Sequence, residues 1–542
     1  MTANGKLSNY ALPDKTQLSI TMIRIYNTLT KTKEEFVPVH SGKVGMYLCG
    51  PTVYKPSHIG HMVGPVIFDA IKRYLTYSGY EVTFIINITD VDDKLISEAN
   101  RRGLPMPAVA EEMTADYWAN LEAMGVKESV SAFPKATEHI GNIIRFVQTL
   151  IDKGFAYESD GDVYYDVGKF SDYGKLSHRS LESMLGEGGS TAERKHTPYD
   201  FALWKSAKAD EPSWDSPWGK GRPGWHIECS VMSKELLGDT FDIHGGGLDL
   251  VFPHHENEVA QSEACHGKAM CNFWMHNGLM QASSETGKVG GRNTRSNEEQ
   301  TAALADNAAE QEAGKISKSK GASAFRDMLK VFEAETIRFF LLSTHYRRPI
   351  DFSFERIEEV GKGLETFYRF FKRFEKITGQ SFYRLNVPLT RTADKSKEEK
   401  SPDGIAELRS KFLESMDDDF NTGGAIGVFF DILRLLNKFI DDNKMEAVQG
   451  NSNAVEQLQQ GAAVLRELAL TLGLFVKPVK EAEAITSASA ELVGKLMTLL
   501  IELRAAARKN KDFATADKIR KDLSDFGITL EDRPGGTEWR TE

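Results

Sequence analysis

Two short motifs in this 542-residue chain could together surround a triphosphate. His58-Ile-Gly-His61 sets two imidazoles at the start of a helix-like pattern, and Lys315-Ile-Ser-Lys-Ser319 sets two lysines on a polar, flexible-looking loop. His58, His61, Lys315 and Lys318 are thus the candidates for neutralising charge that builds up on an α-phosphoryl group under attack. Gly60 would leave room for a base or ribose. Either motif alone is common as a turn or a solvated loop; the pair on one chain is specific.

A second constellation could hold a metal. His254 and Glu258 are four residues apart, so on a helix they share a face, and Cys49 and Cys229 each adjoin an apolar strand. Two thiolates, an imidazole and a carboxylate suit tetrahedral zinc. The spacing by itself is scattered and holds no Cys-x-x-Cys, so buried structural cysteines beside an unrelated histidine remain the plainer reading of these positions. Cys265 and Cys271 have no ligand-rich neighbours and read as inert thiols.

The elements that must position these groups begin with the strand Val44-Gly-Met-Tyr-Leu48, which runs into Cys49-Gly-Pro-Thr-Val-Tyr-Lys-Pro-Ser-His-Ile-Gly-His61 and then the helical pattern Val66 to Leu75. Strand, Gly/Pro turn and helix make a first βα unit, and ligands of parallel sheets sit at the strands' carboxyl ends. A second buried strand, Tyr80 to Thr89, ends in Asp90-Val-Asp-Asp-Lys94, where Asp90 is either a ligand carboxylate or a helix N-cap. Helices are expected at about 108–125 and 136–153, and short strands at 155–158 and 162–166 suggest a hairpin inserted in the sheet. Residues 200–260 carry Gly221-Arg-Pro-Gly-Trp-His-Ile-Glu-Cys229 and Phe241-Asp-Ile-His-Gly-Gly-Gly-Leu-Asp249, whose glycines allow close approach to a ligand or simply make a tight loop. From 281 to 314 the composition turns to Ser, Gly, Asn, Gln and Glu without apolar period, which predicts a mobile insertion. Beyond 337 nearly everything reads as helix, with breaks near 386–403 and 476–486, and the span 502–523 reads as one basic helix that is either a solvated face or a phosphate-binding one.

The length predicts several domains. A net charge of −11 argues against nonspecific nucleic-acid binding by the whole surface. No apolar run reaches the roughly 18 residues of a membrane span, and four unevenly spaced cysteines favour a reducing compartment over a disulfide framework. The first residues show no secretory or mitochondrial pattern, so a cytoplasmic location is expected.

With both motifs and the cysteines in view, the chain resembles the class I aminoacyl-tRNA synthetases, and among them the cysteinyl-tRNA synthetases. The resemblance runs from about residue 22 to 540. It is strongest at Met46-Tyr-Leu-Cys-Gly-Pro-Thr-Val-Tyr54, Asn87-Ile-Thr-Asp-Val-Asp-Asp-Lys94, Gly224-Trp-His-Ile-Glu-Cys-Ser230, Gly245 to Glu258 and Met416-Asp-Asp-Asp-Phe-Asn-Thr422. Ile316 replaces the methionine usual in the lysine motif, and the 281–314 insertion stands directly before it.

The resemblance implies an α/β fold: a Rossmann-like parallel-sheet catalytic domain with an insertion, followed by an all-α anticodon-binding region. The implied bounds are a polar extension at 1–21, a catalytic domain at 22–320 with a connective insertion at about 130–200, a helical stem-contact region at 321–400, a helical bundle at 401–485 and a basic helical region at 486–542. It implies one zinc ion on Cys49, Cys229, His254 and Glu258, sensing the substrate thiol so that no editing domain is needed. It implies a substrate pocket at Cys49, Gly50, Thr89 and Trp225, and ATP, accompanied by Mg²⁺, on His58, Gly60, His61, Gly246, Gly247, Asp249 and Lys318. The implied partners are ATP, L-cysteine and tRNA(Cys), and the implied state is a monomer. Two rivals are a ligase joining cysteine to an amino sugar, disfavoured by the helical region at 406–540, and a noncatalytic tRNA- or zinc-binding relative, disfavoured by intact motifs.

Overall fold

The computed structural model describes residues 22–180, 194–208, 211–282, 324–391, 400–446, 452–478, 487–533 and 536–541. The N-terminal extension, nearly all of the 281–314 insertion, and Lys315 and Lys318 lie outside the described residues. The chain divides into two compact units, Met1–Val476 and Lys477–Glu542.

The first unit opens with an antiparallel pair, β1 (Arg24–Asn27) and β2 (Thr32–Glu35), before the sheet that builds the site. That sheet starts with β3 (Lys43–Leu48), whose apolar Val44, Met46, Tyr47 and Leu48 are buried. Helix α1 (Gly60–Tyr77) returns the chain to β4 (Glu81–Ile86), parallel to β3. Two helices follow, α2 (Asp93–Arg102) and α3 (Met106–Ala123), then α4 (Ile140–Asp152). The predicted hairpin is part of a larger antiparallel sheet of β5 (Ala156–Ser159), β6 (Asp162–Tyr165), β7 (Phe201–Ser206) and β8 (Gly221–Pro223). Helix α5 (Trp225–Leu237) leads back to β9 (Phe241–Gly247), and α6 (Glu256–His266) crosses to β10 (Cys271–Asn277).

The parallel order is β10-β9-β3-β4. From β3 the chain winds outward to β4, and from β9 it winds outward the other way to β10, so winding reverses between β3 and β9. The crevice at the carboxyl ends of such a pair is where doubly wound sheets take their ligands. Register is set by Met46 opposite Ile243 and Leu48 opposite Gly245. Two short strands, β11 (Met280–Ala282) and β12 (Ile350–Phe352), pair in parallel and flank the undescribed segment.

The helices after β12 match the apolar periods read from sequence: Phe354–Thr378, Ile405–Asp417, Thr422–Asp442 and Ser452–Thr471. They are joined to α1 by buried polar contacts. The Tyr74 hydroxyl donates to Asp417 at 2.6 Å. Tyr77 donates to Glu467, which also accepts from Arg409 at 2.8 Å. Asp69, fully buried, pairs with Arg338, which further donates to the carbonyls of Met124 and Leu472. Asp69 is held below the usual carboxylate range because Arg338 and Arg73 outweigh the burial that would raise it.

Two expectations are corrected. Residues 502–523 do not form one helix: helix Ser487–Lys509 ends, Lys511 turns with φ +61°, and the Asp512 carboxylate caps a new helix, Phe513–Asp525, by accepting from Thr515 N–H. The C-terminal region is also not wholly helical, since Ile528–Arg533 and Gly536–Thr541 pair as an antiparallel hairpin. Alternation in Ile528-Thr-Leu530 and the Pro-Gly-Gly that follows Arg533 carry that signal. Asp532 takes both guanidinium nitrogens of Arg504 at 2.8 and 2.9 Å and Arg508 at 2.9 Å, while Lys509, Lys511, Lys518, Arg520 and Lys521 remain exposed.

Candidate active site and metal centre

Cys49 is the first residue past β3, fixed by its N–H donating to Gly245 O at 3.0 Å on the neighbouring strand. Cys229 comes from α5, and His254 and Glu258 come from the irregular turn Val251–His255 and the first turn of α6. Cys49, 180 to 209 residues from the other three in sequence, meets them at the crevice. The Cys49 sulfur lies 3.7 Å from Cys229 Sγ, 3.5 Å from His254 Nε2 and 3.5 Å from Glu258 Oε1, and His254 Nε2 lies 3.0 Å from Glu258 Oε1.

Those separations can be set against a zinc tetrahedron. Bonds of about 2.3 Å to sulfur and about 2.0 Å to nitrogen or oxygen require edges of about 3.7 Å between sulfurs, about 3.5 Å from sulfur to N or O, and about 3.3 Å from N to O. The four measured edges fall within a few tenths of an ångström of these. A fifth donor, His255, stands 3.3 Å from Cys49 Sγ and 3.9 Å from Glu258 Oε1, and Cys49, His254, His255 and Glu258 also form a compact ligand group. Its other ring nitrogen is engaged, 2.7 Å from His276 Nε2.

The charges suit a dication. Burial pushes the Cys229 thiol up, but hydrogen bonds with Cys49 and His254 outweigh it and bring the group down to about 6. Cys49 is raised well above the ordinary thiol value by burial and by Cys229, so the pair carries one thiolate. Burial would raise Glu258 as well, yet His244 and His254 draw it down to about 2, and Glu258 in return lifts His254 to about 10 against burial. Thiolate, carboxylate and imidazolium leave excess negative charge in a closed space, and a metal would displace the remaining protons.

Around this group stand histidines that spacing did not single out: His226, His244, His255 and His276. His244 Nε2 is 2.8 Å from Glu258 Oε2, His226 Nδ1 is 3.0 Å from His254 Nδ1, and His276 Nδ1 is 2.8 Å from Thr28 Oγ1. The only sequence signals were the doubled His254-His255 and a histidine inside the apolar strand Phe241–Gly247.

The substrate-pocket candidates gather at the same place. Trp225 is exposed, with its ring 4.3 Å from that of His254. Thr89 is buried and bridges Thr52, while Asn87 donates to its hydroxyl at 3.5 Å. The Gly50 N–H donates to Asn87 Oδ1 at 2.8 Å, and a Cβ there would stand 1.8 Å from Asn87 O, so only glycine fits. Asp90 is not the N-cap: it accepts from Thr137 N–H at 3.0 Å, and Asp92 caps α2 by accepting from Lys94 N–H at 2.8 Å.

At the start of α1 the His58 and His61 rings stack with centroids 3.9 Å apart. Burial, with some repulsion from His58, lowers His61 to about 3, leaving it neutral at rest. The Gly60 N–H donates to His58 Nδ1 at 3.1 Å, and a Cβ on Gly60 would stand 2.9 Å from His58 Cε1, so the glycine first makes room for that imidazole. Gly246 and Gly247 end β9, and Asp249 follows in a 3₁₀ turn, Leu248–Leu250. Although Lys315 and Lys318 lie outside the described residues, the chain re-emerges beside the histidines, with Phe325 N–H donating to Ser57 O at 2.7 Å.

Comparison with known proteins agrees with this architecture. The family profile for the tRNA synthetases class I (C) catalytic domain matches residues 35–289 and 304–362, a DALR domain matches 411–476, and a cysteinyl-tRNA ligase anticodon binding domain matches 498–540. The cysteine–tRNA ligase of Pelobacter propionicus is 45% identical over 95% of this chain and 99% of its own length. That of Geobacter sulfurreducens is 43% identical over 96% of this chain and 100% of its own. In fold the chain is similar to Mycobacterium tuberculosis methionyl-tRNA synthetase in complex with methionyl-adenylate, with a TM-score of 0.57 at 14% identity over 80% of this chain and 91% of that one. Sheet, site and full-length likeness converge, and the chain belongs to the cysteine–tRNA ligases of class I.

Proposed function

We propose that the chain activates L-cysteine with ATP to cysteinyl-adenylate and transfers it to the 3′ end of tRNA(Cys), and that Cys49, Cys229, His254 and Glu258 hold the zinc ion that selects the thiol. The observation that carries the metal reading is the set of donor separations, which match a tetrahedron with two sulfurs. His255 is set aside as a ligand because its Nε2 stands 3.9 Å from Glu258 Oε1, further from the edge of about 3.3 Å that a zinc tetrahedron requires than His254 Nε2 at 3.0 Å. A bound zinc ion supplies a soft Lewis acid that takes sulfur in preference to the hydroxyl of serine, a distinction of one atom that a pocket wall makes poorly.

This chain's residues then do the positioning. Trp225 and Thr89 wall the amino acid, and Gly50 lets its backbone lie close to the loop. The cysteine carboxylate oxygen attacks the α-phosphorus in line, its bond to the pyrophosphate oxygen breaks, and pyrophosphate leaves with Mg²⁺. His58 and His61, neutral at rest, donate N–H groups to the phosphates at the N-terminus of α1, whose dipole favours anions. Lys315 and Lys318 neutralise the developing charge. Lys318 is within reach, since the seven residues to Phe325 span at most about 25 Å and Phe325 is bonded to Ser57, next to His58. Gly246, Gly247 and Asp249 take the adenosine. The terminal ribose hydroxyl of the tRNA then attacks the activated carbonyl and AMP leaves.

We place the enzyme in the cytoplasm as a monomer. The four cysteines are free thiols, and among the described residues no helix is long and apolar enough to cross a membrane. ATP/pyrophosphate exchange tests the reading: cysteine-dependent, serine-blind exchange is expected from the zinc-loaded protein, with collapse in Cys229→Ser. Exchange with serine at a comparable rate overturns the metal-sensing pocket, and no exchange at all overturns the activity.

A further inference from the structure

Glu228 stands in the first turn of α5, beside Cys229, and is fully buried. Neither of its carboxylate oxygens has a hydrogen-bond partner among the described residues. That is unusual, because a buried acid left without donors is costly and is ordinarily answered by N–H groups or a cation. Burial, then the charges of Cys229, Asp92 and Asp90, push Glu228 well above the usual carboxylate range, while the Thr89 hydroxyl works the other way. Of the three carboxylates at this corner, two are engaged: Asp90 accepts from Thr137 N–H at 3.0 Å, and Asp92 accepts from Lys94 N–H at 2.8 Å. Glu228 keeps both oxygens open.

Its neighbours indicate which donor it lacks. Thr89 faces it, and Trp225 lies three residues before it on the same side of α5, so two walls of the amino-acid pocket meet at this carboxylate. Asn87 Nδ2 donates to Thr89 Oγ1 at 3.5 Å, which occupies one lone pair of the hydroxyl. A hydroxyl has one proton to give and a second lone pair. With the proton turned to Glu228, that lone pair is free for a donor in the pocket. A group that accepts nothing, carries positive charge and offers several N–H donors suits both the lone pair and the carboxylate behind it: a primary ammonium. The other two polar ends of a cysteine have their places already, sulfur at the Cys49 and Cys229 group and carboxylate toward the start of α1.

We propose that Glu228 is a positioning residue for the α-ammonium group of the substrate, acting through Thr89 Oγ1, and that it restricts the pocket to amino acids over thiol acids that lack the amino group. The proposal rests on the reading of the chain as a cysteine-activating enzyme.

The test compares L-cysteine with 3-mercaptopropionate, which keeps thiol and carboxylate and lacks the ammonium, by calorimetric binding to full-length, zinc-loaded protein. Wild type is expected to favour cysteine about 10- to 100-fold, the worth of a hydrogen bond to a charged group. Glu228→Gln and Thr89→Val are each expected to lose most of that preference by weakening cysteine alone, with 3-mercaptopropionate within about two-fold of wild type. The double variant is expected to lose little beyond either single one, because the two residues act as a unit. In pyrophosphate exchange, Glu228→Gln is expected to raise KM for cysteine with KM for ATP and kcat near wild type. Zinc content, read by elemental analysis, is expected to stay at one ion per chain. Equal weakening of both ligands, loss of zinc or loss of native fold in Glu228→Gln assigns the residue to structure and overturns the proposal. A preference for cysteine that survives in Glu228→Gln or in Thr89→Val overturns it too. Wild type that neither binds cysteine nor supports exchange sinks the underlying functional reading instead.

Discussion

His244 Nε2 stands 2.8 Å from Glu258 Oε2, which leaves the other carboxylate oxygen, Oε1, to face Cys49 and His254. One imidazole thus holds Oε2, while Oε1 is the oxygen turned toward Cys49 and His254. Both residues are fully buried, which keeps the contact out of bulk solvent.

Removing that orienting contact loosens the site without removing a ligand. His244→Ala is expected to weaken zinc binding about 10- to 100-fold. Competition with a chromophoric chelator measures it. Unchanged zinc affinity would mean that Glu258 is held by packing alone.

The four cysteines divide into two classes. Cys229→Ser is expected to abolish stoichiometric zinc after dialysis, and Cys265→Ala and Cys271→Ala to retain one ion per chain. Elemental analysis of the dialysed proteins reads the result directly. Loss of zinc from a Cys265 or Cys271 variant of native fold would contradict the assigned set.

Asp69 and Arg338 make a buried pair, and Arg338 also anchors the carbonyls of Met124 and Leu472. Asp69→Asn leaves the guanidinium buried without its counter-charge, expected to cost about 3–5 kcal/mol. Urea unfolding measures the loss. The Asp69→Asn/Arg338→Met double variant is expected to lose less than the sum of the single variants, because the two sites are coupled.

Acid is expected to weaken the fold through its buried histidines. Burial, helped by His244, lowers His276 to about 3 in the folded chain, against about 6.5 unfolded. Above pH 6.5 neither state holds the proton and there is no penalty. Between pH 6.5 and 3 the unfolded chain takes a proton that the folded chain refuses, so stability falls with decreasing pH, by up to about 1.4 kcal/mol per unit. Urea midpoints from pH 7.5 down to 5.5 are expected to slope less steeply in His276→Gln than in wild type.

Much of this site was legible in the sequence, for reasons that differ by residue. His58, Gly60 and His61 could be read because a strand, a Gly/Pro turn and a helix run together there, and local order in sequence is local order in space. The thiols could not be paired from spacing, since Cys49 and Cys229 meet only through the adjacency of β3 and β9 and the helix packed behind them. His226, His244, His255 and His276 come from separate elements with no common period, so nothing short of the fold gathers them. The helix break at Lys511 was hidden because basic residues continue across it, and charge pattern says nothing about a residue at φ +61°.

Helix α1 begins beside His58 and at His61 and runs to Tyr74 and Tyr77, whose hydroxyls are bonded to Asp417 and Glu467 of the helical region. Its 18 residues form a rod about 27 Å long. A hydrogen-bonded helix resists shortening, so a push on the Ile405–Asp417 helix arrives at Gly60 as displacement rather than being absorbed on the way. The one helix thus joins the turn that carries His58 and His61 to the two tyrosine contacts with the bundle.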